Sequence, residues 1–278
     1  MIFQGGVPEA EYKRMANPLM LGQLPYPVAY GYCNVGEVLE GPSGWIGQQV
    51  FSLAPHQTLF DAPVSMLSVI PQGLPLMRAT LAANMETALN AVWTGKPGPG
   101  DRIAVVGAGI VGLLIAYLCR NLPGCQLLVI DPAQHRATVC ESLGLRWTSR
   151  APQASDFDVI FHASGQPGGL KTALTLAGNE AMIVEVSWYG KREVGLDLGG
   201  AFHSRQLRLQ SCQVGHIEST HAPRWTHHRR LATALELLHD NQLDCLLEPA
   251  IDFDSLPTKL PQLLSGQSVS LCQVIAYD

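Results

Sequence analysis

Three glycines at fixed spacing, Gly107, Gly109 and Gly112, lie where an apolar run meets an apolar helical pattern, Ala104-Val105-Val106-Gly107-Ala108-Gly109-Ile110-Val111-Gly112-Leu113-Leu114. Each glycine has a separate task. Gly107 permits a tight strand-to-helix turn, Gly109 lets the backbone approach a diphosphate, and Gly112 lets helix and strand pack closely. The turn residues Ala108, Ile110 and Val111 open a helix whose N-terminus offers free N–H groups and a positive dipole end to phosphate. Asp131 closes the next apolar run, Gln126-Leu127-Leu128-Val129-Ile130, about 20 residues beyond the last glycine. Its carboxylate there is placed to accept hydrogen bonds from adenosine ribose hydroxyls and to repel a 2′-phosphate. The glycine pattern alone also fits an ordinary tight turn; strand before, helix after and acid at this distance point to a dinucleotide site.

Further elements must hold this turn. From Arg102 onward strands and helices alternate. Strands are expected at 102–106, 126–131, 159–162, 182–186 and near 207–211, and helices at 110–121, 133–143 and near 169–177. Such alternation implies a parallel sheet covered on both faces. Residues 1 to roughly 74 read as β-rich and irregular, with short strands at 35–39, 49–53 and around Val69 and Ile70. One helix is expected from Pro75 to Trp93, since Leu81, Met85, Ala88, Leu89 and Val92 keep helical spacing. Thr226 caps a helix reaching Leu238, and Cys272 to Ala276 is an apolar strand.

Composition bounds the partners. The 278 residues are 47% hydrophobic and 15% charged, which suits a well-packed α/β protein. Eighteen Lys and Arg against 23 Asp and Glu give a net charge of −5, so neither nucleic acid nor an anionic membrane is favoured. No apolar run reaches the roughly 18 residues of a membrane span. The first 20 residues carry Glu9, Glu11, Lys13 and Arg14 without an apolar stretch, so no signal peptide is expected. Seven cysteines without a CxxC pair read as buried free thiols in a reducing cytoplasm.

The sequence resembles the medium-chain dehydrogenase/reductase superfamily, the zinc alcohol dehydrogenase-like proteins. The residues that carry the resemblance are Tyr30-Gly31-Tyr32-Cys33-Asn34-Val35-Gly36-Glu37-Val38, Gly47-Gln48-Gln49-Val50-Phe51, the segment 82–92, the glycine turn, Ala163-Ser164-Gly165, and Ser187-Trp188-Tyr189-Gly190. It is nearest to a zinc-lacking subgroup that includes bacteriochlorophyllide a dehydrogenase-like proteins. The resemblance implies a Rossmann parallel-sheet domain at 98–243 and a β-rich GroES-like catalytic domain at 1–97. A segment at 244–278 returns to the catalytic domain. It also implies roughly 40 residues before the equivalent of Met1, so this domain is expected to be short at its N-terminus, either naturally or through a misplaced start.

Against the zinc-binding members, Tyr32 stands at the imidazole ligand position, the third-ligand cysteine falls near Ala82 or Ala83, and the lobe for a structural zinc is missing after Phe51. Cys33 and His56 cannot supply four tetrahedral ligands, so no zinc is expected. The resemblance instead puts Tyr32, Thr87 and His56 forward as catalytic candidates. Tyr32 either donates a hydrogen bond to the substrate oxygen or fills the vacated ligand position. Thr87 either meets cofactor or substrate or bonds its own backbone, and His56 either shuttles protons or is structural. Ala163, Ser164, Gly165, Trp188 and Tyr189 join the glycine turn and Asp131 as cofactor-binding candidates, with Trp188 and Tyr189 reading equally as core or as an aromatic dimer contact.

Together these readings predict a zinc-independent, NAD-linked (NADP possible) oxidoreductase acting on a small alcohol/carbonyl pair, cytoplasmic and a homodimer. The alternatives are an NADPH-linked enone or quinone reductase and a non-catalytic dinucleotide-binding protein.

Overall fold

The computed structural model describes residues 2, 5–153, 155–265 and 268–277. In chain order, a two-residue ladder joins β1 (Leu21–Gly22) to β2 (Val28–Ala29). An antiparallel sheet follows, formed by β3 (Asn34–Glu37), β4 (Gln49–Ser52) and β5 (Leu67–Val69) in the order β3-β4-β5. The helix expected from Pro75 to Trp93 is broken in two, α1 (Leu76–Ala79) and α2 (Ala82–Gly95). At the break the backbone tightens to three-residue spacing, the Thr80 N–H donating to Met77 and the Leu81 N–H to Arg78, a change that apolar periodicity does not register.

The strands β6 (Arg102–Val106), β7 (Gln126–Ile130), β8 (Trp147–Thr148), β9 (Phe157–His162), β10 (Ala177–Glu185) and β11 (Arg208–Ser211) form one sheet in the order β11-β10-β9-β6-β7-β8. Every pairing is parallel. The strand order reverses at β6, beside β9, which makes the end of β6 a topological switch point where open α/β sheets bind ligands. Helices α3 (Ile110–Cys119), α4 (Arg136–Ser142) and α5 (Pro167–Leu176) supply the crossovers. The central strands are apolar without alternation because both faces are covered, and Ile103 to Val106 are all buried. The edge strand β11 is exposed along its length. Beyond it come α6 (Ala201–Ser204), α7 (His227–Glu236), β12 (Leu247–Asp252), α8 (Leu256–Leu263) and β13 (Cys272–Ala276). β12 and β13 pair in parallel.

The strand expected at 182–186 starts earlier, at Ala177. β8 and β12, both short or half-exposed, were not expected from the sequence. The chain divides into two compact units, Met1–Ala83 with His228–Asp278, and Asn84–His227. Within the first unit, Arg78 is nearly buried and forms a two-pronged bond to Asp244, at 2.8 Å on each carboxylate oxygen. All seven cysteines are free, but the expectation that they are buried holds only for Cys119 and Cys140. Cys245 is exposed and the rest are half-buried, because an apolar neighbourhood in sequence does not tell which face of an element a thiol occupies. Among the described residues no helix is long and apolar enough to cross a membrane.

Candidate functional site

The glycine turn sits at the end of β6. Gly107 has φ +110°, and a Cβ there would come 2.6 Å from the Ser164 nitrogen. A Cβ on Gly112 would come 2.0 Å from the Gly107 carbonyl oxygen. Both positions therefore admit only glycine. Gly109 differs, because its backbone is extended and a Cβ there would meet nothing within 4 Å. Gly109 is the residue just before α3, and no side chain caps that helix. An uncapped N-terminus beside an empty cradle suits a diphosphate, whose charge complements the dipole end and whose oxygens accept from the amides.

Asp131, just past β7, accepts from the Ala108 N–H at 2.7 Å through one oxygen and from the Ala133 N–H at 2.9 Å through the other. The acid is thereby tied to the turn, and each oxygen keeps a lone pair for a ligand hydroxyl. The residues present fit a dinucleotide.

Across the switch point, β9 ends at His162, which is fully buried and registers opposite Glu185 at the end of β10. The imidazole Nδ1 faces both Glu185 oxygens, at 2.8 and 2.9 Å, and Nε2 lies 2.6 Å from the Ser164 hydroxyl. Glu185 is held in turn by the Ser187 N–H at 2.8 Å and the Tyr189 hydroxyl at 3.0 Å. Burial, with the adjacent Glu185 charge, raises the pKa of Tyr189, so its hydroxyl stays a donor. Gly165 donates to the Ser187 hydroxyl at 2.9 Å, and Arg192 donates to the Gly165 carbonyl at 2.8 Å.

Of the expected cofactor residues, the structure gathers Gly107, Ala108 and Asp131 at one turn, with Ser164 packed on it. Gly165 and Tyr189 belong to the neighbouring network, while Trp188 is half-buried. Sequence reading did not name His162, Glu185, Ser187 or Arg192 as site candidates. The available signal was a polar titratable residue closing each of two successive apolar strands.

The catalytic candidates are split between the units. Tyr32 and His56 are in the first, where the turn at Gly31 packs on the His56 backbone, 3.0 Å from a Cβ position. The His56 Nδ1 lies 2.8 Å from the Tyr277 hydroxyl, and burial lowers its pKa. Tyr32 is 47% exposed as a residue, and its ring meets Tyr30 edge-on at 6.3 Å. Desolvation of its hydroxyl, then the nearby groups of Cys33, Tyr30 and Cys272, push its pKa up to about 12. This phenol is a donor rather than a base. Thr87 lies on α2 in the second unit, half-buried. Among the described residues no group of three or more His, Cys, Asp or Glu could hold a metal ion.

Residues 105–169 match the model of an NAD(P)-binding Rossmann-like domain. The structure resembles galactitol-1-phosphate dehydrogenase from Escherichia coli, with a TM-score of 0.74 at 16% identity, covering 95% of this chain and 88% of that one. It likewise resembles a short chain alcohol dehydrogenase from E. coli CFT073 in complex with NADH, with a TM-score of 0.68 at 18% identity, covering 88% and 82%. The chain shares the fold of these two dehydrogenases. In sequence, the chain is 24% identical over 211 residues to D-guloside 3-dehydrogenase of E. coli K12, covering 70% of this chain and 60% of that protein. The chain thus spans less than two thirds of that relative's length.

Proposed function

We propose that the protein is an NAD(H)-linked, zinc-independent oxidoreductase acting on an alcohol/carbonyl pair, with 98–243 holding the cofactor and 1–97 with 244–278 holding the substrate. The observation that carries this reading is the glycine turn with Asp131 tied to it. A bound nicotinamide would supply the hydride chemistry. The chain's own part is to bind and orient it, keep water out and offer a hydrogen-bond donor to the substrate oxygen. Similarity to proteins named as dehydrogenases supports the reaction class.

Asp131 determines cofactor choice. A carboxylate at the ribose edge accepts from free hydroxyls and repels a 2′-phosphate, so NADH is expected to bind at least about tenfold more tightly than NADPH. Fluorescence titration with both reduced cofactors checks this, and equal or stronger NADPH binding would refute it.

Tyr32 is the donor we assign to the substrate oxygen. Replacing it with Phe is expected to lower kcat on the order of 10²-fold while leaving NADH affinity unchanged. Wild-type turnover in Tyr32→Phe would remove the residue from the mechanism. Elemental analysis of the same preparation is expected to find no stoichiometric zinc.

Assembly follows from β11, whose Leu209 is 37% exposed on an open sheet edge. Unpaired donors and acceptors beside an apolar side chain favour pairing with a second copy of the strand. We expect a homodimer, and a monomeric mass by light scattering at micromolar concentration would count against it.

A further inference from the structure

The buried His162–Glu185 pair has no part in the chemistry assigned above, yet it ends in a side chain beside the cofactor turn. Glu185 accepts through both oxygens at Nδ1, which places the proton of the neutral imidazole on that nitrogen. Nε2 is then an acceptor, and the Ser164 hydroxyl donates to it at 2.6 Å. One lone pair of the serine oxygen takes the Gln166 N–H at 3.2 Å. What remains for a ligand is a single acceptor site.

The surroundings are shaped for this arrangement. A Cβ on Gly169 would fall 2.2 Å from the Ser164 oxygen and 2.6 Å from His162 Nε2, so only glycine on α5 leaves room for the pair. Ser164 itself packs its backbone on Gly107. The charged and titratable groups around the imidazole are Glu185 on β10, then Tyr189 and Arg192 in the segment after it. Tyr189 has its hydroxyl 3.4 Å from Nδ1, and Arg192 lies over the Tyr189 ring.

We propose that Ser164, held as an acceptor by the His162–Glu185 pair, binds a ribose hydroxyl of the nicotinamide half of the dinucleotide. The proposal rests on the dinucleotide reading above and extends it. A dinucleotide lies across the switch point with one mononucleotide on each half of the sheet. Asp131 follows β7 and serves the adenosine half, whereas Ser164 follows β9 and opens the other half. A ribose hydroxyl is the donor that an acceptor there would meet. The Ser–His–Glu connectivity is also that of a hydrolase triad. However, the two amides that follow the serine, Gly165 and Gln166, already donate to Ser187 and Ser164, so they are not free to stabilise an oxyanion. Binding is the role that the geometry supports.

The test titrates NADH and ADP against wild type, Ser164→Ala, His162→Gln and His162→Leu, with a thermal melt for each. ADP carries the adenosine half without the second ribose. Ser164→Ala is expected to weaken NADH about tenfold and to change ADP by less than about twofold. His162→Gln, whose amide oxygen can take the serine hydroxyl in place of Nε2, retains NADH binding, whereas His162→Leu weakens it as Ser164→Ala does. Wild-type NADH affinity in Ser164→Ala, an equal loss of ADP, or equal losses in both His162 variants would overturn the proposal. Labelling of Ser164 by a fluorophosphonate would overturn it in favour of a nucleophile. Binding of neither NADH nor ADP by the wild type would instead show that the dinucleotide reading fails, and the proposal with it.

Discussion

Gly112→Ala is expected to cost about 3 kcal/mol of stability and to lower NADH affinity by two orders of magnitude or more. The added methyl would stand 2.0 Å from the Gly107 carbonyl oxygen, which is backbone and cannot rotate away. Gly107 has little freedom to yield, being held at φ +110° against the Ser164 backbone. The turn must open, moving the start of α3 off the site. Gly109→Ala provides the contrast. Its methyl enters open space, so the melting temperature should hold while NADH binding is lost to a clash with the diphosphate. Denaturant unfolding and NADH titration of the two variants separate fold from ligand. If Gly109→Ala bound NADH like the wild type, the diphosphate would not lie where we place it.

Arg78→Met is the second large effect, expected at about 2–3 kcal/mol. The guanidinium, only 5% exposed as a residue, donates to both Asp244 oxygens and to the carbonyls of Leu238 and His239, tying residues of α1 to the segment before β12. Methionine fills similar volume but leaves those carbonyls without their donor. Asp244 is half open to water, so it resolvates and keeps the loss below that of a fully buried pair. The bond to Arg78 lowers the Asp244 pKa in the folded state. Its contribution is therefore fully present above the ordinary value of 3.8 and lost as pH falls through the depressed folded value. Urea unfolding of Arg78→Met should show a shallower loss of stability on acidification than wild type. An unchanged urea midpoint at neutral pH would show that the contact contributes little.

Much of the parallel-sheet half was legible because its signals are local. The pattern around Gly107, Gly109 and Gly112 states a strand, a turn and a helix within 11 residues, and strands 102–106 and 272–276 appear with the expected bounds. The alternation of strand and helix after Arg102 identified the parallel sheet, because each crossover helix returns the chain to start the next strand in the same direction. Periodicity failed at Thr80, where the backbone tightens to three-residue spacing, and at β8, whose two residues are too few to show a period.

Residue identity and spacing thus determined the glycine turn and the acid tied to it, since each depends on backbone freedom or position within one short segment. Only the tertiary structure decided what faces that turn from the far side of the switch point. His162 and Glu185 stand 23 residues apart and meet because parallel register sets their strand ends side by side. Ser164 meets Gly107 because β9 pairs with β6 across more than 50 residues of chain. Strand order and register arise from the packing of the whole sheet, and no local pattern of residues encodes them.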